Sequence, residues 1–318
     1  MYLELYKQTI EEFKNYKPAL TKRNDFDDFW DQTIHLSNST PLDESVEHVD
    51  YPIKEVLVYK ARYKGIDGTP VHSYFILPRE RNETLPCLIR FHGYGGTKGT
   101  PAQYMHWLIQ GYAVLAVDCR SHGETGDESD YTIGSAGSWA TQGLLDKKEY
   151  YYYKVFTDAK RAVDFVINRP EIDPDRVGII GASFGGGISL AVAALDHRPN
   201  LVIADVPNMC NIELAMQQKL EGSLTYIEKY ISRYPEQVEK VLDTLSYFDN
   251  LNLANRIQKR VSVSVALNDT ICPPKSIFGV YNQITSEKSL IVHPFSGHDA
   301  PGTAHHVNQT LEFVRRHL

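Results

Sequence analysis

Between a short apolar run at 177–181 and a second apolar stretch at 188–195 stands "GASFGGG", a single serine set among glycines. The turn Asp173-Pro174-Asp175 precedes it, so the local order is strand, tight turn, buried helix. A glycine-flanked serine is often an ordinary flexible turn, and the motif alone decides nothing. On a bend this sharp, however, small neighbours are needed where helix and strand close in, and the hydroxyl is pushed clear of the backbone. In that context Ser183 reads as the serine of a nucleophile elbow, which ties the chain to an α/β architecture.

The rest of the chain follows that architecture. After a helical N-terminal arm that contains "DFDDFW", two strand patterns at 53–63 and 71–77 flank the turn Gly65-Ile66-Asp67-Gly68 and predict an antiparallel hairpin. The runs "CLIRFHG" and "AVLAVD" are continuously apolar, as strands covered on both faces are, with a helix expected over 102–110 between them. Val155, Ala159, Ala162, Val163 and Val166 share one helical face that Pro170 ends. Further strands are expected at 201–206, 261–267 and 289–293, and a closing amphipathic helix carries Val307, Leu311, Val314 and Leu318. From 207 to 250 only helical patterns occur, which predicts an insertion of the kind that forms a cap. The expectation is one domain over 1–318, of α/β-hydrolase fold: a mainly parallel sheet covered on both faces, with an arm over about 1–50 and the insertion before the strand that leads to Asp269.

Charge and cysteine content exclude several classes. There are 33 basic and 40 acidic side chains, a formal charge of −7, and no basic stripe to neutralise a phosphate backbone, so nucleic acid is not an expected partner. The first twenty residues mix acids and lysines without a continuous apolar core, which predicts neither a signal peptide nor a membrane span and hence a cytoplasmic protein. Cys87, Cys119, Cys210 and Cys272 lie in or beside apolar runs without metal-ligand spacing, so reduced buried thiols are expected.

A serine hydroxyl needs a base, and the base an acid to hold its tautomer. In open α/β sheets such groups gather beyond the carboxyl ends of the strands. Asp269 in "VALNDTICPP" and His298 in "HPFSGHDA" follow strands after Ser183, in the chain order Ser, Asp, His of an α/β-hydrolase. Asp205, ending the preceding strand, competes with Asp269, and His305 and His306 compete with His298. A metal site from His298, Asp299, His305 and His306 lacks the i, i+4 histidine spacing of a zinc helix, so neither metal nor cofactor is expected. For the oxyanion, the Phe184 amide follows the serine, and "HGYGG" offers a second from Tyr94. Arg120, His122 and Pro207 are pocket candidates.

Beyond the elbow, the stretches "DFDDFW", "HGYGG", "GLLDKKEYYYYKVFTDAKRAVDFV", "DVPNMCN", "LSYFDNLNLA" and "NDTICPPKSIFGVYN" resemble the acetyl xylan esterase and cephalosporin C deacetylase family, carbohydrate esterase family seven, essentially from end to end. The resemblance implies a serine esterase that removes acetyl groups from xylo-oligosaccharides, and in many members from cephalosporin C. It also implies a hexamer, with Ser183, Asp269 and His298 as the triad and Tyr94 and Phe184 as oxyanion donors. The sequence departs from the family pattern at Arg120-Ser121-His122, where Arg-Gly-Gln is usual, at Phe184 in place of Gln, and at Asp299 in place of Glu. Different acyl or peptide specificity, or a binding protein that has lost its chemistry, are the competing expectations.

Overall fold

The computed structural model describes residues 2–81, 83–219 and 221–318. Nine strands form one sheet: β1 (Ser45–Val49), β2 (Val56–Lys64), β3 (Pro70–Pro78), β4 (Leu85–Phe91), β5 (Ala113–Val117), β6 (Ile172–Ala182), β7 (Leu201–Asp205), β8 (Arg260–Ala266) and β9 (Lys288–His293). Their spatial order is β1-β2-β3-β5-β4-β6-β7-β8-β9. The six strands from β5 to β9 along that order run parallel, while β1, β2 and β3 pair antiparallel at one end.

The expected hairpin is β2 and β3. Its turn is set by Gly68 at φ 94°, a left-handed value that glycine adopts without strain. The apolar runs lie at the centre of the sheet and feed two cores. On one face Leu88, Val114, Ala116, Ile180 and Ile203 pack against Trp107 of α3 (Met105–Leu108) and Val314 of α11 (Ala304–His317). On the other, Cys87, Ile89, Leu115 and Ile179 meet α4 (Tyr151–Ile167), α5 (Phe184–Leu195) and α10 (Pro274–Gln283). Adjacent residues of one strand serve opposite cores, which is why β4 and β5 carry no polar alternation.

The arm is α1 (Tyr2–Lys14) and α2 (Phe26–Ser39), and the Trp30 indole N–H donates to the Tyr247 carbonyl at 3.0 Å. Two expectations are corrected. Residues 45–49, counted with the arm, form edge strand β1, whose exposed side chains carry no burial pattern to betray it. The helix expected over 102–110 is a 3-10 turn, Pro101–Tyr104, followed by only the four residues of α3, since Gly111 at φ 88° turns the chain away. The insertion is α6 (Ile212–Gln218), α7 (Leu224–Arg233) and α8 (Val238–Ser246), with no described residue of 207–250 in a strand. The short helix α9 (Asn250–Leu253) follows. Both ends of the insertion are tied to α5: the Asn208 N–H donates to the Ser183 carbonyl at 2.9 Å, and the Asn250 amide donates to Gly187 at 3.1 Å. No helix among the described residues is long and apolar enough to cross a membrane.

Candidate active site

Ser183 stands between β6 and α5 with φ 58° and ψ −118°, a conformation side chains rarely adopt and one that lifts the hydroxyl out of the turn. Its backbone is held from the next strand: its N–H donates to the Asp205 carbonyl at 2.8 Å. The glycines are required by contact. A Cβ on Gly181 would lie 2.2 Å from the Gly185 carbonyl oxygen, and one on Gly185 would lie 2.2 Å from the oxygen of Phe91. Two backbones meet there with no room for a methyl group.

Asp269 and His298 are brought together by the loops after β8 and β9. His298 Nδ1 lies 2.8 Å from Asp269 Oδ2, and the other carboxylate oxygen accepts the Ile271 and Cys272 amides at 2.8 and 2.9 Å. The carboxylate is thereby fixed at both oxygens, and the imidazole carries its proton at Nδ1, leaving Nε2 as the basic nitrogen. The rival acid is engaged elsewhere. Asp205 Oδ1 lies 2.9 Å from His306 Nε2, though not aligned as a hydrogen bond, and His306 Nδ1 is 3.1 Å from His293 Nε2.

Cys272, read from sequence only as a buried thiol, sits inside this group. It stands beside the Ser183 side chain, and its sulfur lies within 4.8 Å of ligand-type atoms of Asp269 and His298. Burial first, and the Asp269 charge second, push its pKa well above the ordinary thiol value, so it remains a protonated neighbour of the hydroxyl. The signal was present in the sequence, three residues after the acid in "NDTIC". Among the described residues these three form the one His/Cys/Asp group close enough to share a cation. Asp269 is already committed to a histidine and two amides and the thiol keeps its proton, so the donor set suits proton transfer better than coordination.

The two amides expected to hold an oxyanion stand on different supports. Phe184 is the first residue of α5, so its N–H has no helical acceptor, and the Tyr94 N–H likewise meets none among the described residues. Tyr94 is bonded through its hydroxyl to Ser138 at 2.7 Å, and its ring meets Phe184 edge to face at 5.5 Å. Below it the His92 ring accepts the Cys119 N–H at 3.0 Å and donates to the Gly93 carbonyl at 2.8 Å. Burial lowers the His92 pKa to about 4, so this ring is neutral.

Of the three pocket candidates, Arg120 is engaged elsewhere, while Pro207 lines a small cavity with Ile271 and Cys272. Arg120 is fully buried, and its guanidinium is shared by Asp158 at 2.9 Å, Asp67 at 2.8 Å and Asp127 at 3.0 Å. With Thr69 and Ser129 also accepting from it, no donor remains for a ligand, and the residue pins loop 119–130 instead. His122 is buried beneath the Tyr94 loop, and Pro207 packs against Gly186 in the first turn of α5. The open groove next to Tyr94 is lined by Glu221, Gly222, Thr225, Tyr226 and Lys229 from the insertion.

The model of the acetyl xylan esterase family matches residues 3–317. The chain belongs to the acetyl xylan esterase family. An acetyl xylan esterase from a Paenibacillus species has a solved structure that superposes with a TM-score of 0.93 at 38% identity, covering 97% of this chain and 99% of that one. Acetyl xylan esterase 1 from a Thermoanaerobacterium species gives 0.91 at 28% identity, over 96% and 97%. Acetyl esterase Axe7A of Xylanibacter ruminicola is 28% identical over 291 residues, 89% of this chain; the chain spans 65% of that protein's length.

Proposed function

We propose that this acetyl xylan esterase family member is a serine carboxylesterase that removes acetyl groups from small acetylated xylo-oligosaccharides. What supports the reading is the Asp269–His298 hydrogen bond, a strained elbow at Ser183, and two N–H groups, of Tyr94 and Phe184, that meet no acceptor among the described residues. Ser183 Oγ attacks the acetyl carbonyl carbon while His298 Nε2 takes the hydroxyl proton, and Asp269 stabilises the imidazolium through Nδ1–H. The carbonyl oxygen, now an anion, is held by the Tyr94 and Phe184 N–H groups. Collapse breaks the ester bond, and His298 returns its proton to the sugar oxygen. Water, deprotonated by the same nitrogen, then attacks the acetyl-serine and releases acetate. The groove beside Tyr94 offers an aromatic ring in Tyr226 and polar partners in Glu221 and Lys229, the mixture that binds a sugar.

Cephalosporin C as a further substrate and a homo-hexamer extend the same reading by family resemblance, and a cytoplasmic location by the mixed charge of the first twenty residues. Kinetics on acetylated xylobiose and xylotriose, beside acetyl, butyryl, octanoyl and peptidyl chromogenic substrates, test it. Acetyl esters should lead the panel, and Ser183→Ala should lower turnover by several orders of magnitude. A preference for octanoyl or peptidyl groups, or an active Ser183→Ala variant, overturns it; sedimentation decides the assembly.

A further inference from the structure

One ring touches both residues that supply the oxyanion donors. His122 Nε2 accepts the Gly95 N–H at 3.0 Å, and His122 Nδ1 lies 2.8 Å from the Arg120 carbonyl oxygen. One nitrogen accepts and the other donates, so the imidazole is neutral and protonated at Nδ1. The Arg120 carbonyl is a firm anchor, because its own side chain is locked among three carboxylates. On its face the ring stacks on Phe184 at 5.6 Å and 28°, and Trp139 backs it at 4.2 Å.

The consequence for Tyr94 comes from peptide geometry. Fixing the Gly95 N–H fixes the peptide plane that leaves Tyr94; the plane that enters it is held at the Gly93 carbonyl by His92 and by the Gly96 N–H at 2.9 Å. The Tyr94 N–H lies in the entering plane, and the restraint on the following plane keeps the residue from pivoting between them. We propose that His122 is a positioning residue of ester hydrolysis: it steadies, through Gly95, the turn that carries the Tyr94 amide, and it seats Phe184 by stacking, setting the two oxyanion donors relative to each other. The inference rests on the assignment of Ser183 as nucleophile. The two rings, His122 and Phe184, are in mutual contact, so a change in one is felt by the other. Burial lowers the His122 pKa, which preserves the lone pair that Gly95 uses.

The test uses His122→Gln, which keeps a donor and an acceptor without the ring, and His122→Phe, which keeps the ring without either. Removing one oxyanion donor outright costs about 10²–10³ in kcat, so a misaimed donor should cost about tenfold or more. His122→Phe should therefore lower kcat on nitrophenyl acetate at least about tenfold with KM changed less than about threefold, and slow phosphonate labelling of Ser183 in proportion. His122→Gln should stay within about tenfold of the parent kcat. Wild-type kcat in His122→Phe, or equal impairment in both variants, overturns the proposal. Should His122→Phe fail to fold, Phe184→Gln decides: its effect should be smaller in a His122→Gln background than in the parent, and strict additivity refutes the coupling. If Ser183→Ala abolishes turnover while His122→Phe does not impair it, this inference alone fails; an active Ser183→Ala removes the reading beneath it.

Discussion

Replacing Asp269 by Asn removes one charge and keeps the shape, and the hydrogen bonds already made to the carboxylate set the cost. It receives three donors: the His298 Nδ1–H on one oxygen, and the Ile271 and Cys272 N–H groups on the other. An amide offers one oxygen and one NH2 group. With its oxygen toward the backbone, NH2 faces His298 Nδ1, the imidazole proton moves to Nε2, and the nitrogen that must accept from Ser183 can no longer do so; the expected loss is about 10⁴ in kcat, roughly 5.5 kcal/mol. With its oxygen toward His298, NH2 is pressed against two buried N–H donors, at about 1–3 kcal/mol for each unsatisfied group. Turnover of nitrophenyl acetate and urea unfolding, measured together, should therefore show an inactive protein of near-parental stability or one destabilised by about 2–6 kcal/mol. Asp205→Asn, whose parent meets His306 instead, should lose far less activity. An Asp269→Asn enzyme within tenfold of the parent in kcat and equal to it in stability, or a larger loss of activity in Asp205→Asn, refutes the argument.

Two further outcomes are expected. Ser121 sits at φ 63°, a left-handed value that favours glycine, and its hydroxyl gains only a long 3.3 Å bond to Asp127. Relief of about 1–2 kcal/mol of left-handed strain, against about 0.5–1 kcal/mol for glycine's freer unfolded chain, should make Ser121→Gly more stable by about 0.5–1 kcal/mol in urea; equal or lower stability contradicts this. His92, at about 4 when folded, titrates near 6.5 when unfolded. The unfolded chain takes up the proton first as pH falls, so stability held above pH 6.5 is lost on the way to pH 4, by about 3 kcal/mol from this residue. The stability advantage of the parent over His92→Gln should shrink across that window, and a constant difference would tell against it.

What was legible in the sequence was whatever short-range pattern enforces. The elbow announced itself because a Cβ on either Gly181 or Gly185 would come within 2.2 Å of a backbone oxygen, which excludes every side chain from both. The central strands were readable because burial on both faces removes polar residues; Asp269 follows such a strand, β8, and His298 follows β9, a half-buried edge strand whose run Leu290-Ile291-Val292 is still apolar. Strand β1 was not, since an exposed edge strand keeps its place by backbone pairing with β2, which selects no side-chain pattern. Arg120 was misplaced for a related reason: an arginine in a polar loop resembles a ligand-binding group until Asp67 and Asp158, both distant in the chain, are found beside it. The role of His122 was hidden further, because its hydrogen-bond partners are backbone atoms that any residues could supply.

The hydrogen bonds that join Asn208 and Asn250 to the first turn of α5, with the Asn250 N–H donating to Met209 at 2.8 Å, close a ring at the base of the insertion. The chain beyond that ring is packed on the body as well, with Trp30 donating to the Tyr247 carbonyl and Leu245, Tyr247 and Phe248 buried in the main core. What can change without disturbing either is the set of side chains that lines the groove beside Tyr94, at Glu221, Thr225, Tyr226 and Lys229. Substitutions there would alter what the groove accepts while both junction asparagines keep their place.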